Sequence, residues 1–372
     1  MEKRIEGDLT QGPVFQSLIL FVGPIIAANL IQQLYSLVDL MVIGHYMGSA
    51  GTVGVSTGGE ISDMLTPVAT AFGAAGQIYI GQLAGAREHR KLQQAIGTLI
   101  SLMMLGSLAF AVITIIFRVL LLTLINCPQE AFSQAEDYMV LTAVGFPFIF
   151  GYNAVAGILR GLGESKRPMI FIMIAAAVNI VLDILLVGPF HMEAAGTAIA
   201  TSISQMASFL AALVYMSKKK ERFDFEWKLS YFKIRKEAAE VILSLGIPQA
   251  IRSLLVRVSM LYVNAGVNSY GLVESATNSV GNKLQKFLEV YTSSFSQAGS
   301  AMVAQNLGAK KHERASRIIW YSFWTCMVLA AITSVVVLIL PHQVFGIFTK
   351  DPSVQEMGAG YLTIFVIQPF LS

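Results

Sequence analysis

The sequence predicts an all-α polytopic membrane protein built as two pseudo-symmetric six-helix lobes, the second stopping after about four helices at Ser372. Three observations predict it. The first is composition: 55% of the 372 residues are hydrophobic and 13% are charged, where a soluble domain carries about 25% charge. The second is a series of ten apolar runs, each near the roughly 20 residues that cross a bilayer as a helix. The third is an internal repeat. Gly81-Gln-Leu-Ala-Gly-Ala-Arg87 closes one long apolar run, and Ala304-Gln-Asn-Leu-Gly-Ala-Lys310 closes another in the second half of the chain. At the offset that lays Gly85 on Gly308, Phe72 falls on Phe295, Ala75 on Ala298, Gln82 on Gln305 and Tyr138 on Tyr361; one register on, Pro24 meets Pro248 and Pro128 meets Pro352.

The elements follow in order. A polar start, Glu2 to Gly12, leads into a first span too long for a signal-peptide core. Spans are expected near 14–43, 52–80, 95–125, 134–159, 168–189 and 194–217 in the first half, and near 239–267, 275–303, 315–340 and 357–372 in the second. The basic stretch Lys218 to Lys236 divides them, giving a first lobe over 1–220, a linker over 221–238 and a second lobe over 239–372. Two readings of the linker stand, a solvated loop beside anionic lipid and a partner site. Spans matching the fifth and sixth are missing from the second half, so twelve are expected in the complete unit. Twenty of the 26 Lys and Arg residues fall in loops on one side of the membrane. Excess positive charge marks the cytoplasmic side, so the N-terminus is expected there, in a multi-pass protein of the plasma (inner) membrane. Two equivalent multi-helix halves are a common build for secondary transporters, with the substrate path between them.

Two acids lie deep in spans of the first half. Asp39 has Tyr35 one turn before it, with Gln32 a further turn back, and Asp183 has Asn179 one turn before it. Residues four apart share a helix face. An Asp in mid-membrane costs roughly 2.5–3.5 kcal/mol on insertion scales, faces the bundle interior and marks a functional site. Asp183 lies about 24 Å up its span at 1.5 Å per residue, which puts both acids in the outer half. A poorly hydrated pocket favours the protonated carboxyl, so such a pair can take and release protons near neutral pH. The competing reading is two structural carboxylates bonded to Tyr and Asn. Glu60 and Asp63 read as interfacial. The second half carries Arg252, Arg257, Lys283, Lys286 and Glu289 within spans. They read either as neutralised charges, with Lys286 or Arg257 on Glu289, or as a basic cavity wall for an anionic or zwitterionic group.

Other chemistries lack their residues. Gly161-Leu-Gly-Glu-Ser-Lys166 fails the phosphate-loop spacing, so no ATP is expected. The five His are scattered, Cys127 and Cys326 are far apart, and no metal set, cofactor site or nucleophile–base pair is legible. A net charge of +3 concentrated in loops gives no reason to expect nucleic acid.

The repeated Gly81–Arg87 and Gln305–Lys310 stretches, Leu159-Arg-Gly-Leu-Gly-Glu-Ser-Lys-Arg-Pro-Met169, Val178-Asn-Ile-Val-Leu-Asp183 and Leu34-Tyr-Ser-Leu-Val-Asp-Leu-Met-Val-Ile-Gly44 resemble the multidrug and toxic compound extrusion (MATE) family. That resemblance implies twelve helices in two lobes and efflux of amphipathic, often cationic, small molecules in exchange for H+ or Na+, without ATP. It implies a first-lobe cation site of Asp39 and Asp183 with Tyr35, Asn179 and Thr201. Pro24 matches a proline at which the first helix bends in one branch, and Tyr138 and Asn153 match polar residues of the fourth helix. Arg257 stands where sodium-coupled relatives carry an acid, which favours the first lobe as coupling site and H+ as the ion, with Na+ at Asp39 and Asp183 as the other choice. The basic quartet Arg252, Arg257, Lys283 and Lys286 suggests a flippase of lipid-linked precursors as an alternative. A polytopic membrane enzyme is a remote third.

Overall fold

The structure, a computed structural model, describes residues 7–47, 49–219, 225–347, 349 and 351–365. These form eleven α-helices: α1 (Val14–Tyr46), α2 (Ser49–Ala86), α3 (His89–Leu124), α4 (Gln129–Gly161), α5 (Lys166–Val187), α6 (Glu193–Lys218), α7 (Lys236–Asn268), α8 (Leu272–Gly308), α9 (His312–Ile339), α10 (Pro341–Gly346) and α11 (Pro352–Phe365). A 3-10 turn spans Leu229–Phe232, and no strand occurs among the described residues.

The repeat sets the helix boundaries. α8, α9 and α11 begin where the Gly85-to-Gly308 offset carries the starts of α2, α3 and α4, and α7 begins and ends one position short of where it carries α1. The stops repeat as well. α2 closes with Arg87 at φ 57°, and α8 closes with Lys310 at φ 57°. Both use the same pair of backbone bonds: Glu88 N donates to Leu83 O and Arg87 N to Ala84 O, as Lys311 N does to Asn306 O and Lys310 N to Leu307 O. This is the left-handed helix stop usually filled by Gly, here occupied by a basic residue in each half. Pro341 interrupts the helix that α3 continues, splitting its counterpart into α9 and α10.

The first lobe packs around α4. Phe146, Phe150, Ile158 and Leu159 of α4 are buried with Leu92, Ile96 and Leu99 of α3, Ile80 of α2 and Phe209 of α6. The second lobe has smaller cores, one against the start of α1 (Leu18, Phe21, Phe295, Met302, Ile318) and one at α10 and α11 (Val280, Leu284, Phe345, Leu362).

Two expectations need correction, the apolar character of two spans and the linker, and a third is described only in part. Seven helices, α1, α3 to α7 and α9, are long and apolar enough to cross a membrane by length and composition. The expected spans at 52–80 and 275–303 form as α2 and α8 but are too polar to meet that measure, because these two helices carry the contacts between the lobes. The last expected span is described only as Pro352–Phe365; residues 366–372 lie outside the described residues. The linker also differs from a solvated loop. Residues 220–224 lie outside the described residues, but Phe225 is buried against Trp227 and Phe232. Ser101 Oγ donates to Phe232 O at 2.6 Å, Thr98 Oγ1 accepts from Arg235 N at 3.2 Å, and Gly97 leaves room for the Tyr231 carbonyl. The linker is pinned along α3.

The lobes meet tightly at the end of the bundle that carries the basic loops. Gly85 of α2 faces the Gln305 carbonyl and Gly308 of α8 faces the Gln82 carbonyl, each so close that a Cβ would overlap the oxygen. The two copies of the repeated motif therefore pack on one another reciprocally, as a pseudo-twofold axis requires. Polar side chains complete the crossing. Gln77 Nε2 donates to Gln297 O (2.8 Å) and Ser300 Oγ (2.9 Å), and Arg160 Nε donates to Gln77 Oε1 (2.7 Å).

Residues 7–12 strap this crossing. Buried Gln305 accepts from Leu9 N (3.0 Å) and donates to Gly161 O (2.8 Å), linking the strap to both lobes. Asn306 Nδ2 donates to Leu9 O (3.2 Å). Burial opposes charge on Asp8, but hydrogen bonds from Thr10 Oγ1, Thr10 N and Gln11 and the nearby Lys311 ammonium hold its carboxyl below the usual range. Gln305→Ala leaves the Leu9 N–H and the Gly161 carbonyl without partners, a cost of about 1–3 kcal/mol each when buried. Proteinase K is expected to cut the variant near residues 7–12 faster than the parent chain; equal rates would show that the strap does not depend on Gln305.

Candidate functional site

Asp183 lies on the buried stripe of α5 formed by Ala175, Ala176, Asn179, Asp183 and Val187. That stripe follows the three-to-four residue spacing of a helix face, and it packs on α1. Asp39 of α1 meets Asp183 there, carboxyl to carboxyl. Asp183 is 1% exposed and Asn179 2%. Asp39 Oδ1, both Asp183 oxygens and Asn179 Oδ1 are buried without a hydrogen-bond donor among the described residues. All four are acceptors. Ionised carboxylates cannot donate to each other, so the contact becomes a hydrogen bond only when one of them carries a proton.

The ring around the pair is set by neighbouring helices. Tyr35 of α1 and Tyr138 of α4 lie within electrostatic reach of Asp39, Asp63 and Asp183. Tyr138 packs against α2 because Gly58 lets the helices approach: a Cβ there would sit 2.7 Å from Ala135 O and 3.2 Å from the Tyr138 ring. The second half repeats the device at the equivalent positions, with Gly281 facing Tyr361. Beyond the pair, toward the end away from the basic loops, Val42, Ile43, Met47, Val55, Tyr138, Val187, Ala194 and Ala198 close an apolar cap. That cap removes water from one side of the carboxyls.

The other expected site residues are distributed more widely. Thr201 of α6 is half-buried and its carbonyl accepts from Ser204 Oγ at 2.8 Å; Thr197, one turn earlier, is fully buried with an unpartnered Oγ1. Asn153 lies about 22 Å along α4 from Tyr138 at 1.5 Å per residue, bonded to Ile149 O (2.8 Å) and to Thr70 Oγ1 (3.4 Å). It stands apart from the carboxyl pair. Pro24 lies inside α1, which runs through it as one helix, as α7 does through Pro248.

In the second lobe, Arg257 is bound elsewhere than expected. Its Nη2 donates to Asp63 Oδ2 at 3.0 Å, and to the Asp63 carbonyl at 3.4 Å, tying α7 to α2 across the lobes. Glu289 instead accepts from Gln285 Nε2 at 2.7 Å, one turn away on α8. Lys286 and Glu289 share a cavity of about 170 Å³ with Asn29, Gln32, Gln33 and Ser293, between α1 and α8. Arg252 and Lys283 are exposed. Asp63 is the residue whose role the sequence obscured: it reads as interfacial, yet it joins both the Arg257 contact and the field around Tyr35 and Tyr138. The Asp63–Arg257 pair is largely exposed, so its worth is expected to be about 0.2–1 kcal/mol. A double-mutant cycle with Asp63→Asn and Arg257→Gln on thermal unfolding checks it, and a coupling several times larger would mark a buried bridge.

The MatE family model matches residues 24–185 and 248–372. The chain is 29% identical over 343 residues to the "Probable multidrug resistance protein YoeA" of Bacillus subtilis strain 168, covering 91% of this chain and 74% of that protein. It is 25% identical over 354 residues to the multidrug export protein MepA of Staphylococcus haemolyticus, covering 95% and 78%. Among solved structures, an outward-facing conformation of a multidrug resistance MATE family transporter superposes with a TM-score of 0.92 at 19% identity, over 100% of this chain and 83% of that one.

Proposed function

The chain belongs to the MatE family, and we propose that it exports amphipathic small molecules by antiport with H+ carried on Asp39 and Asp183. It is a multi-pass membrane transporter of the multidrug efflux class, not an enzyme. One observation supports the proton reading: two carboxyls meet, and three of their four oxygens are buried without a hydrogen-bond donor among the described residues. A proton between them turns repulsion into a hydrogen bond and draws α1 onto α5; its loss pushes the helices apart. The ion drives transport only if it binds the two lobe arrangements unequally, and a contact between two helices supplies that inequality. Substrate enters between the lobes, where α1 and α8 enclose the cavity at Lys286 and Glu289. Closure at the basic end, taken as cytoplasmic from the charge of its loops, corresponds to access from the outside.

Na+ is the second reading, supported by the Asn179 Oδ1 acceptor beside the two carboxyls, an all-oxygen set of the kind a hard cation prefers. The flippase reading needs a basic wall, and Arg257 is already neutralised by Asp63. The test is efflux of a cationic dye from proteoliposomes of the full chain under an imposed pH gradient or an imposed Na+ gradient. Efflux driven by the pH gradient at zero Na+ is expected. Efflux driven by Na+ alone keeps the site and changes the ion.

A further inference from the structure

We propose that the crevice between the starts of α1 and α9 binds an anionic phospholipid, gripping its phosphate with Lys310 and Arg317. The crevice has a volume of about 500 Å³, and its walls carry four cations, Lys310, Lys311, Arg314 and Arg317, and one acid, Glu313. Two of the cations are engaged. Lys311 Nζ donates to Thr10 O (2.9 Å), and Arg314 donates to Gly12 O (2.6 Å) and Gln11 O (2.7 Å), which builds the wall from the N-terminal strap. Asp8 lies within electrostatic reach of both. Lys310 and Arg317 are exposed, and their side chains have no hydrogen bond or ion pair among the described residues. The crevice is therefore cationic after Glu313 and Asp8 are counted.

The helix face running from the crevice fits acyl chains. Trp320 and Tyr321 stand one turn after Arg317 and Trp324 a turn further, on the face that i, i+3 and i+4 neighbours share. Trp320 and Trp324 are 58% and 59% exposed. Phe15 of α1 packs on Tyr321 with ring centroids 5.6 Å apart. Trp and Tyr in such positions sit at headgroup level, and basic pockets beside them hold anionic headgroups.

The repeat supports the same occupant independently. Trp320 and Trp324 fall, at the repeat offset, on Gly97 and Ser101 of α3. There the face is covered by the aromatic linker, with Tyr231 O against Gly97 and Phe232 O bonded to Ser101. In the second lobe the equivalent face is apolar, aromatic and uncovered among the described residues, with a cationic crevice at its head. A phospholipid matches both parts at once.

The test uses the full chain with Trp227→Phe, which leaves Trp320 and Trp324 as its only tryptophans. Reconstituted in phosphatidylcholine vesicles, it is titrated with acyl-brominated phosphatidylglycerol or acyl-brominated phosphatidylcholine while Trp fluorescence is read. Half-maximal quenching is expected at a mole fraction up to about thirtyfold lower for the anionic lipid, the worth of two basic residues at about fivefold each. Lys310→Gln with Arg317→Gln is expected to remove the difference, and Lys218→Gln with Lys219→Gln to leave it. Equal quenching by both lipids, no quenching by either, or the same loss in the control pair would overturn the proposal. So would relief of quenching by inorganic phosphate at an ionic strength where chloride has no effect, which would reassign the crevice to a soluble phosphate.

Discussion

Asp39→Asn and Asp183→Asn are each expected to lower ion-driven export by about tenfold or more, because an ion that no longer distinguishes two states shifts nothing between them. Stability is expected to move the other way. In the parent chain two carboxyls meet, and the one donor between them is a proton that comes and goes. An amide in place of either one supplies a donor to the remaining carboxylate, and a hydrogen bond to a charged group is worth about 1.5–3 kcal/mol. The variants should therefore unfold at the same or a higher temperature while losing coupling. That opposition separates the coupling role from a structural one. If the pair only held α1 to α5, a substitution that improves the contact would leave export intact. Measured export together with thermal unfolding in detergent decides it; unimpaired export in both variants would remove the pair from the coupling site.

Gly85→Leu and Gly308→Leu are expected to part the lobes at the basic end. Each glycine lies against a carbonyl of the opposite copy of the motif, Gln305 O and Gln82 O, at a distance no Cβ tolerates. Backbone cannot swing aside as a side chain can, so the strain is relieved by separating α2 from α8. Overpacking of this kind costs about 1–3 kcal/mol, enough to shift a two-state balance by about tenfold for each 1.4 kcal/mol. Because the contact is reciprocal, both substitutions should act alike. Ala304, 2% exposed at this crossing, reports it: in a background with Cys127→Ser and Cys326→Ser, Ala304→Cys should be labelled by a soluble maleimide far faster once either leucine is present. Unchanged labelling would show that the crossing does not open at this point.

The repeat was legible and relates the helix starts of the two halves, since α8, α9 and α11 start at the offset from α2, α3 and α4 and α7 within one residue of the offset from α1, but apolar runs alone stopped at 80 and 303, short of the ends of α2 and α8 at Ala86 and Gly308. It also pointed to the lobe contact, although spacing alone could not say that the two copies pack on each other. The carboxyl pair was half legible. Tyr35 and Asn179 each lie one turn before an Asp, which marks two polar stripes, but only packing of α1 on α5 brings the stripes together. Arg257 shows where reading along the chain fails. Its acid, Asp63, is 194 residues away on the other lobe, and no local spacing indicates that α2 and α7 adjoin. Glu289 meanwhile accepts a hydrogen bond from Gln285 on its own helix, a neutral neighbour that charge counting ignores. The linker carried a visible signal that its basic residues concealed: Phe225, Trp227, Tyr231 and Phe232 are too many aromatics for a purely solvated loop. α2 and α8 read as spans although too polar to be counted by composition, because some of their polar side chains face the other lobe instead of lipid: Gln77 of α2 donates to Gln297 O and Ser300 Oγ of α8, and Ser294 of α8 accepts from Asn29 of α1.

Proton release on substrate binding tests the coupling role of Asp39 and Asp183 most directly. The full chain, purified in detergent and weakly buffered with a pH dye, is mixed with a cationic substrate in the absence of Na+. Release of about one proton per chain is expected, since a proton shared by two carboxyls is what the substrate-bound arrangement must give up, and no release is expected from the Asp39→Asn, Asp183→Asn double variant. Equal release from the double variant, or substrate binding by the parent chain with no release at all, would contradict that role.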